Sequence, residues 1–248
     1  MDRFTLSPTP FAGRARVTPP DSAFAWLQQG WAIFAANPGA WIAMTVILLA
    51  FVFGLRLAPV VGEAAADFLL PILSAGMLHG AARLGGEGRI EIADLFAGFR
   101  RNAATLVVLG LILMAGLFVA GLVVKLIVGG SVAGGVVLGA TGHFSSGVGV
   151  LIGGYMLSKL ILLMLAGPLL MAACYAPALL FFNGMAPIPA LQASFLAIVR
   201  NWLPMSVLAL IVAVLAFFAL LPVLLGFLVL IPVLYATLYA SYRDIFIA

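Results

Sequence analysis

The chain has 248 residues, of which 65% are hydrophobic and 8% charged, whereas an ordinary soluble domain carries about 25% charged residues. That composition excludes a water-soluble globular protein, which needs more polar surface to cover itself. The net charge of +4 comes from basic residues set at the ends of apolar runs, so topology accounts for it better than a nucleic-acid partner does.

Residues 1–20 are polar, contain Pro8, Pro10, Pro19 and Pro20, and lack the apolar stretch of a secretory signal. They read as a flexible cytoplasmic arm before a single transmembrane domain over 21–248. A first span is expected from about Trp41 to Val60 and a second from about Ala64 to Leu84, the latter carrying Asp67, Pro71 and His79. After a polar segment from Gly85 to Asn102, a third span runs from about Thr105 to Leu126 and a fourth from Leu160 to Phe182. The uncharged stretch between Trp202 and Tyr242 is long enough for two short spans joined by a turn near Leu221 to Gly226. The expected class is therefore all-α, a polytopic transmembrane bundle of about six spans.

The glycine-rich stretch from Leu126 to Ser158 leaves three forms open: an outer loop, an extension of the two flanking helices, or a re-entrant hairpin. Small residues four apart, as in Gly130/Gly134, Gly135/Gly139 and Gly149/Gly153, let apolar helices approach closely. Orientation follows from Lys and Arg, which are retained on the cytoplasmic side. With the N-terminus inside, Arg3, Arg14, Arg16, Arg83, Arg89, Arg100, Arg101, Arg200 and Arg243 are cytoplasmic, and only Arg56, Lys125 and Lys159 are outside. Both termini are then cytoplasmic, in a bacterial inner membrane.

A repeat organises the chain. Leu27–Asn37, Ile92–Asn102 and Leu191–Asn201 superpose without a gap: Trp31, Phe96 and Phe195 share one column, and Asn37, Asn102 and Asn201 another. The chain has only four asparagines, three of them in this column, so chance is a poor account of it. Each unit reads as an amphipathic helix lying at the membrane interface, an Asn corner, and a transmembrane helix. The units cover about 21–84, 85–183 and 184–248. At the corner, the Asn side chain is expected to accept from the unpaired N–H groups that open the next helix, and Pro38 suits a first helical position.

The segments GWAIFAANPGAW (Gly30 to Trp41), DLFAGFR (Asp94 to Arg100) and FLAIVRNW (Phe195 to Trp202) resemble an uncharacterised proteobacterial family of predicted integral membrane proteins. That family is similar to the membrane domain found beside some glycerophosphodiester phosphodiesterases. The resemblance covers the chain from about Asp21 onward and implies a polytopic fold and a membrane location. It implies no phosphodiesterase chemistry, which belongs to a separate soluble domain, and it carries over no catalytic residue.

Little in the sequence points to catalysis, a metal or a cofactor. His79 and His143 lie far apart without ligand spacing. His143 beside Ser145 and Ser146 has no acid partner and reads as a polar turn. Ionisable groups at membrane depth are functional candidates by default, which singles out Arg56, Glu63, Asp67 and His79 as a transport or proton-relay set. Their structural reading is an outer-turn ion pair and a packing histidine. Arg83, Arg89, Arg100, Arg101 and Arg200 suit anionic headgroups on the cytoplasmic face. The expected function is non-enzymatic: organising lipid or supporting a membrane complex, with a membrane protein or a second copy as partner. The alternative is a small-solute or lipid transporter, favoured by prolines within the spans at Pro71, Pro168, Pro177, Pro222 and Pro232.

Overall fold

A computed structural model describes residues 15–58, 61–222 and 224–247. All the regular elements it describes are helices. In chain order they are α1 (Ser22–Ala36), α2 (Pro38–Arg56), α3 (Val61–Glu87), a 3-10 turn (Ile92–Phe96) leading into α4 (Ala97–Arg100), α5 (Ala103–Ala140), α6 (Phe144–Asn183), α7 (Pro187–Arg200), α8 (Trp202–Leu220) and α9 (Phe227–Phe246).

Five of these, α2, α3, α5, α6 and α8, are long and apolar enough to cross a membrane. The expected sixth, α9, is long enough but too polar. Its second half holds Thr237, Tyr239, Ser241, Tyr242, Arg243 and Asp244. More than half of its residues are buried, including Leu230, Val233, Ala236, Tyr239 and Tyr242. Those side chains meet protein.

The chain divides into two compact units, one holding residues up to 111 together with 172–248, the other 112–171. In the first unit α9 packs against α1, α2, α3 and α8. A Cβ built on Gly30 of α1 would lie 2.1 Å from Thr237 Oγ1 and 2.7 Å from its backbone nitrogen, so α1 crosses α9 in backbone contact at that point. The 3-10 turn and α4 are fastened to α3 in the same way. A Cβ on Gly76 would lie 1.9 Å from the Leu95 carbonyl oxygen, and one on Gly98 would lie 2.3 Å from that of Ile72. The continuous amphipathic helix expected over Ile92–Asn102 is thus a 3-10 turn and one α-helical turn. A capping box between Glu91 and Asp94 starts the turn.

The second unit settles the glycine-rich stretch as helix extension. α5 and α6 have 38 and 40 residues, about 57 and 60 Å of helix at 1.5 Å per residue. They turn at Thr141–His143, where Gly142 takes φ 86°, a conformation that favours glycine. The hairpin seam is made by glycines: a Cβ on Gly147 would lie 2.6 Å from the Gly135 carbonyl oxygen, and one on Gly154 only 1.6 Å from Ser131 Oγ. Gly129, Gly130, Gly139, Gly149 and Gly153 have no such neighbour within 4 Å.

The arm expected over residues 1–20 is anchored from Arg16 onward; residues 1–14 lie outside the described ones. Arg16 donates its backbone N–H to the Ile245 carbonyl at 2.8 Å, and Thr18 donates its own to Asn201 Oδ1 at 2.8 Å.

Candidate functional site

The three aligned asparagines do stand at helix corners, but they do three different things. Asn37 behaves as expected, with Oδ1 accepting from the Ala40 N–H at 3.2 Å and Pro38 opening α2. Asn102 adopts φ 58°, a left-handed conformation that Asn tolerates better than most residues. Its Nδ2 donates to the carbonyls of Leu180 and Phe181 at 2.9 and 3.5 Å, so it ties α5 to the end of α6. Asn201 is 1% exposed. Its Oδ1 accepts from the Thr18 N–H and hydroxyl at 2.8 and 3.0 Å, while Nδ2 donates to the carbonyls of Arg16 and Ala197, both at 2.9 Å. The shared N-cap bond expected at all three corners is therefore corrected at Asn102 and Asn201: a neighbouring backbone segment takes up the amide instead.

A charged cluster gathers where α3 meets the 3-10 turn. Arg83, expected to face headgroups, instead donates to Asp94 at 2.6 Å and to Glu87 at 3.3 Å, and lies 3.5 Å from Glu91. Asp94 is 5% exposed and also accepts the Glu91 backbone N–H at 2.8 Å. His79 Nε2 lies 3.8 Å from Asp94 Oδ1, beyond hydrogen-bond range, with its ring against Phe181. The Arg101 guanidinium sits 5.5 Å over the same Phe181 ring. Arg89, Arg100 and Arg200 are exposed. Asp94 was missed as a charged site residue in the sequence, although a Glu three residues earlier, at Glu91, and a basic residue at Arg83 were visible signals. Chemically the cluster is an electrostatic clamp that closes the 3-10 turn onto α3.

The relay set does not come together. Arg56 pairs with Asp67 at 3.2 Å, whereas His79 lies twelve residues further along α3, about 18 Å by helical rise. Between them Ser74 Oγ and Tyr235 OH share a hydrogen bond of 2.8 Å. The side chain of Glu63 lies outside the described residues. Sequence reading also missed the polar contacts of α9. Ser241 bonds Tyr175 OH at 2.9 Å, Tyr242 OH bonds Asn183 Oδ1, and Asp244 accepts from Trp26 Nε1 at 2.8 Å and from Arg16 at 3.0 Å. Lys125 and Lys159, expected on the outer side beyond the spans, stand within α5 and α6, Lys159 5.1 Å over the Tyr155 ring.

Among the described residues no three His, Cys, Asp or Glu side chains are placed to hold a metal ion. The fold defines an all-helical protein with five helices suited to a membrane. No protein-family model matches the chain, and neither curated proteins nor solved structures provide a significant match.

The clamp makes a first prediction. Arg83→Ala leaves the nearly buried Asp94 carboxylate without its cation, a costly arrangement, and should lower the melting temperature in detergent by several degrees. Adding Asp94→Asn should recover part of the loss, because the orphaned charge is removed. A double variant that melts below both single variants would show that the pair is not coupled in this way.

Proposed function

We propose that this protein is a non-enzymatic integral membrane protein of the bacterial inner membrane that organises lipid or supports a membrane complex. The supporting observation is the distribution of polarity along its long helices. Of the charged groups on and beside them, Arg56 pairs with Asp67 and Arg83 with Asp94, while Lys125 and Lys159 stand within α5 and α6. Their flanks turn large apolar side chains outward, among them Phe53 on α2, Phe118 on α5, Leu163 on α6 and Leu210 on α8. Such surfaces are stable against hydrocarbon and poorly stable against water.

In this reading α9 is the sixth crossing. Hydropathy underrates it because Ser241, Tyr242 and Asp244 bond to neighbouring helices, and a polar group satisfied by protein is tolerated at membrane depth. The threefold repeat, the two cytoplasmic termini and the family resemblance of the sequence motifs belong to the same proposal. Exposed Arg89, Arg100 and Arg200 are its contacts with anionic headgroups. A membrane protein or a second copy of the chain is its partner.

Reporter fusions test the topology. Fusions at Gly86, Asn183 and the C-terminus should read cytoplasmic, and those at Gly62, Gly142 and Leu221 periplasmic; a periplasmic reading at Gly86 would sink the six-crossing arrangement. Purified protein in liposomes should give no specific solute flux. Saturable uptake abolished by His79→Ala or Asp67→Asn would replace this proposal with the transporter alternative.

A further inference from the structure

We propose that Lys125 and Lys159 form a binding site for the phosphate of an outer-leaflet phospholipid headgroup, and that this contact sets how deep the α5–α6 hairpin sits. The inference rests on the membrane location proposed above and adds a site and a ligand to it. These are the only two lysines in the chain, against ten arginines. They are also the only charged residues between 112 and 171, and both are exposed. With no Asp or Glu in that unit, their counterion is external to it.

Three features identify that counterion as a headgroup phosphate. The first is register. A Cβ on Gly154 would lie 1.6 Å from Ser131 Oγ on the turn side of the lysines, and one on Gly116 would lie 2.8 Å from Leu169 Cδ2 on the other side. That register sets Lys125 across from Lys159, at one level of the hairpin, and the Lys159 ammonium lies 5.1 Å over the Tyr155 ring, a combination suited to the boundary between hydrocarbon and water. The second is a change of composition at the same level. Every Ser, Thr, Tyr and His of residues 112–171 lies on the turn side of the lysines, together with ten glycines. Residues 112–124 and 160–171 hold no polar side chain and turn Phe118, Leu122, Leu163 and Met164 outward. The third is length. Tilted by about 40°, the upper end for membrane helices, α5 would still cover about 44 Å along the bilayer normal, against about 30 Å of hydrocarbon. From Ala103 to Lys125 the helical rise is about 33 Å, and from Lys159 to Asn183 about 36 Å, which is one crossing. Lysines at that level reach the phosphates by extending their stems, and residues 126–158 stand beyond the hydrocarbon.

The test uses the full chain, isotopically labelled at lysine Nζ, in phospholipid vesicles washed free of inorganic phosphate. Solid-state NMR should show both lysine signals dephased by lipid phosphorus. In maltoside micelles with added inorganic phosphate they should not be dephased. Equal dephasing there assigns the site to free phosphate and overturns the lipid assignment, and so does a lack of dephasing in vesicles. Depth is read from spin labels in a Cys174→Ser background, by collision with oxygen and with a water-soluble nickel complex. Labels at Leu122 and Leu163 should favour oxygen, and labels at the exposed Val132 and Val150 should favour nickel. The pair Lys125→Leu and Lys159→Leu should draw the hairpin inward, raising the oxygen-to-nickel ratio at Val132 at least several-fold, whereas Lys125→Arg with Lys159→Arg should leave it unchanged. Oxygen-favouring labels at Val132 and Val150 in the wild type overturn the proposed depth, as does a ratio that the leucine pair does not move; the wild-type measurements decide the matter if the leucine pair folds poorly. A chain that is extracted from the vesicles by alkaline carbonate overturns the membrane proposal and this site together, whereas an inserted chain without phosphorus dephasing overturns the site alone.

Discussion

Gly30→Ala lowers the unfolding free energy in detergent by about 3 kcal/mol, the upper end of the range for overpacking a tight contact. The added methyl would meet Thr237 Oγ1 at 2.1 Å, but also the Thr237 nitrogen at 2.7 Å and its Cα at 2.9 Å. A side chain can rotate away; backbone atoms cannot. Relief therefore requires α1 to lift from α9, which uncovers Trp26 and Phe34, now 1% and 5% exposed. Adding Thr237→Ala removes the shortest clash and leaves the backbone ones, so it should rescue only in part. Gly54→Ala in α2 is the comparison, because no atom lies within 4 Å of its built Cβ; it should be neutral or stabilise by up to about 1 kcal/mol through helix propensity. Chemical unfolding followed by tryptophan fluorescence measures both. If the two alanine variants unfold alike, α1 does not cross α9 at Gly30.

The second large effect is at Asn201, where Asn201→Ala should cost about 3 kcal/mol, since several buried polar groups lose partners at once. The informative variant is Asn201→Asp. A carboxylate can still accept from Thr18, but it cannot donate to the carbonyls of Arg16 and Ala197, and it brings a charge into a buried position. Aspartate should therefore be no better than alanine there. At Asn37, where the amide oxygen only accepts, aspartate should serve, and alanine should cost about 0.5–2 kcal/mol as at other helix caps. Asn102 should tolerate glycine better than alanine, because its φ of 58° strains a residue with a Cβ. Melting temperatures of this set decide the matter: wild-type stability in Asn201→Asp would show that the amide donates no important bond.

The helices were legible in the sequence where they are long, apolar and locally marked. The start of α2 at Pro38 and of α8 at Trp202 follows directly from an Asn, and an aromatic or proline, ahead of an uncharged run. The α8–α9 turn near Leu221 to Gly226 was legible for the same reason. The stretch 126–158 was ambiguous because glycine weakens a helix in water and its compensation is a close approach between two helices, which is not local. Gly135 and Gly147 supply that approach, and the stretch becomes helix.

Helical class and the corner positions are thus determined by the sequence itself, since each depends on residues within a turn or two of one another. What only the tertiary structure decided is which distant backbone or charge meets each side chain. It brought Asp94 to Arg83, turned the Asn201 amide toward Arg16 and Thr18, and enclosed α9 so that its polar residues meet protein. The shared level of Lys125 and Lys159 is of this second kind, because it follows from the register of α5 against α6, and no local pattern records which residue of one helix faces which of the other.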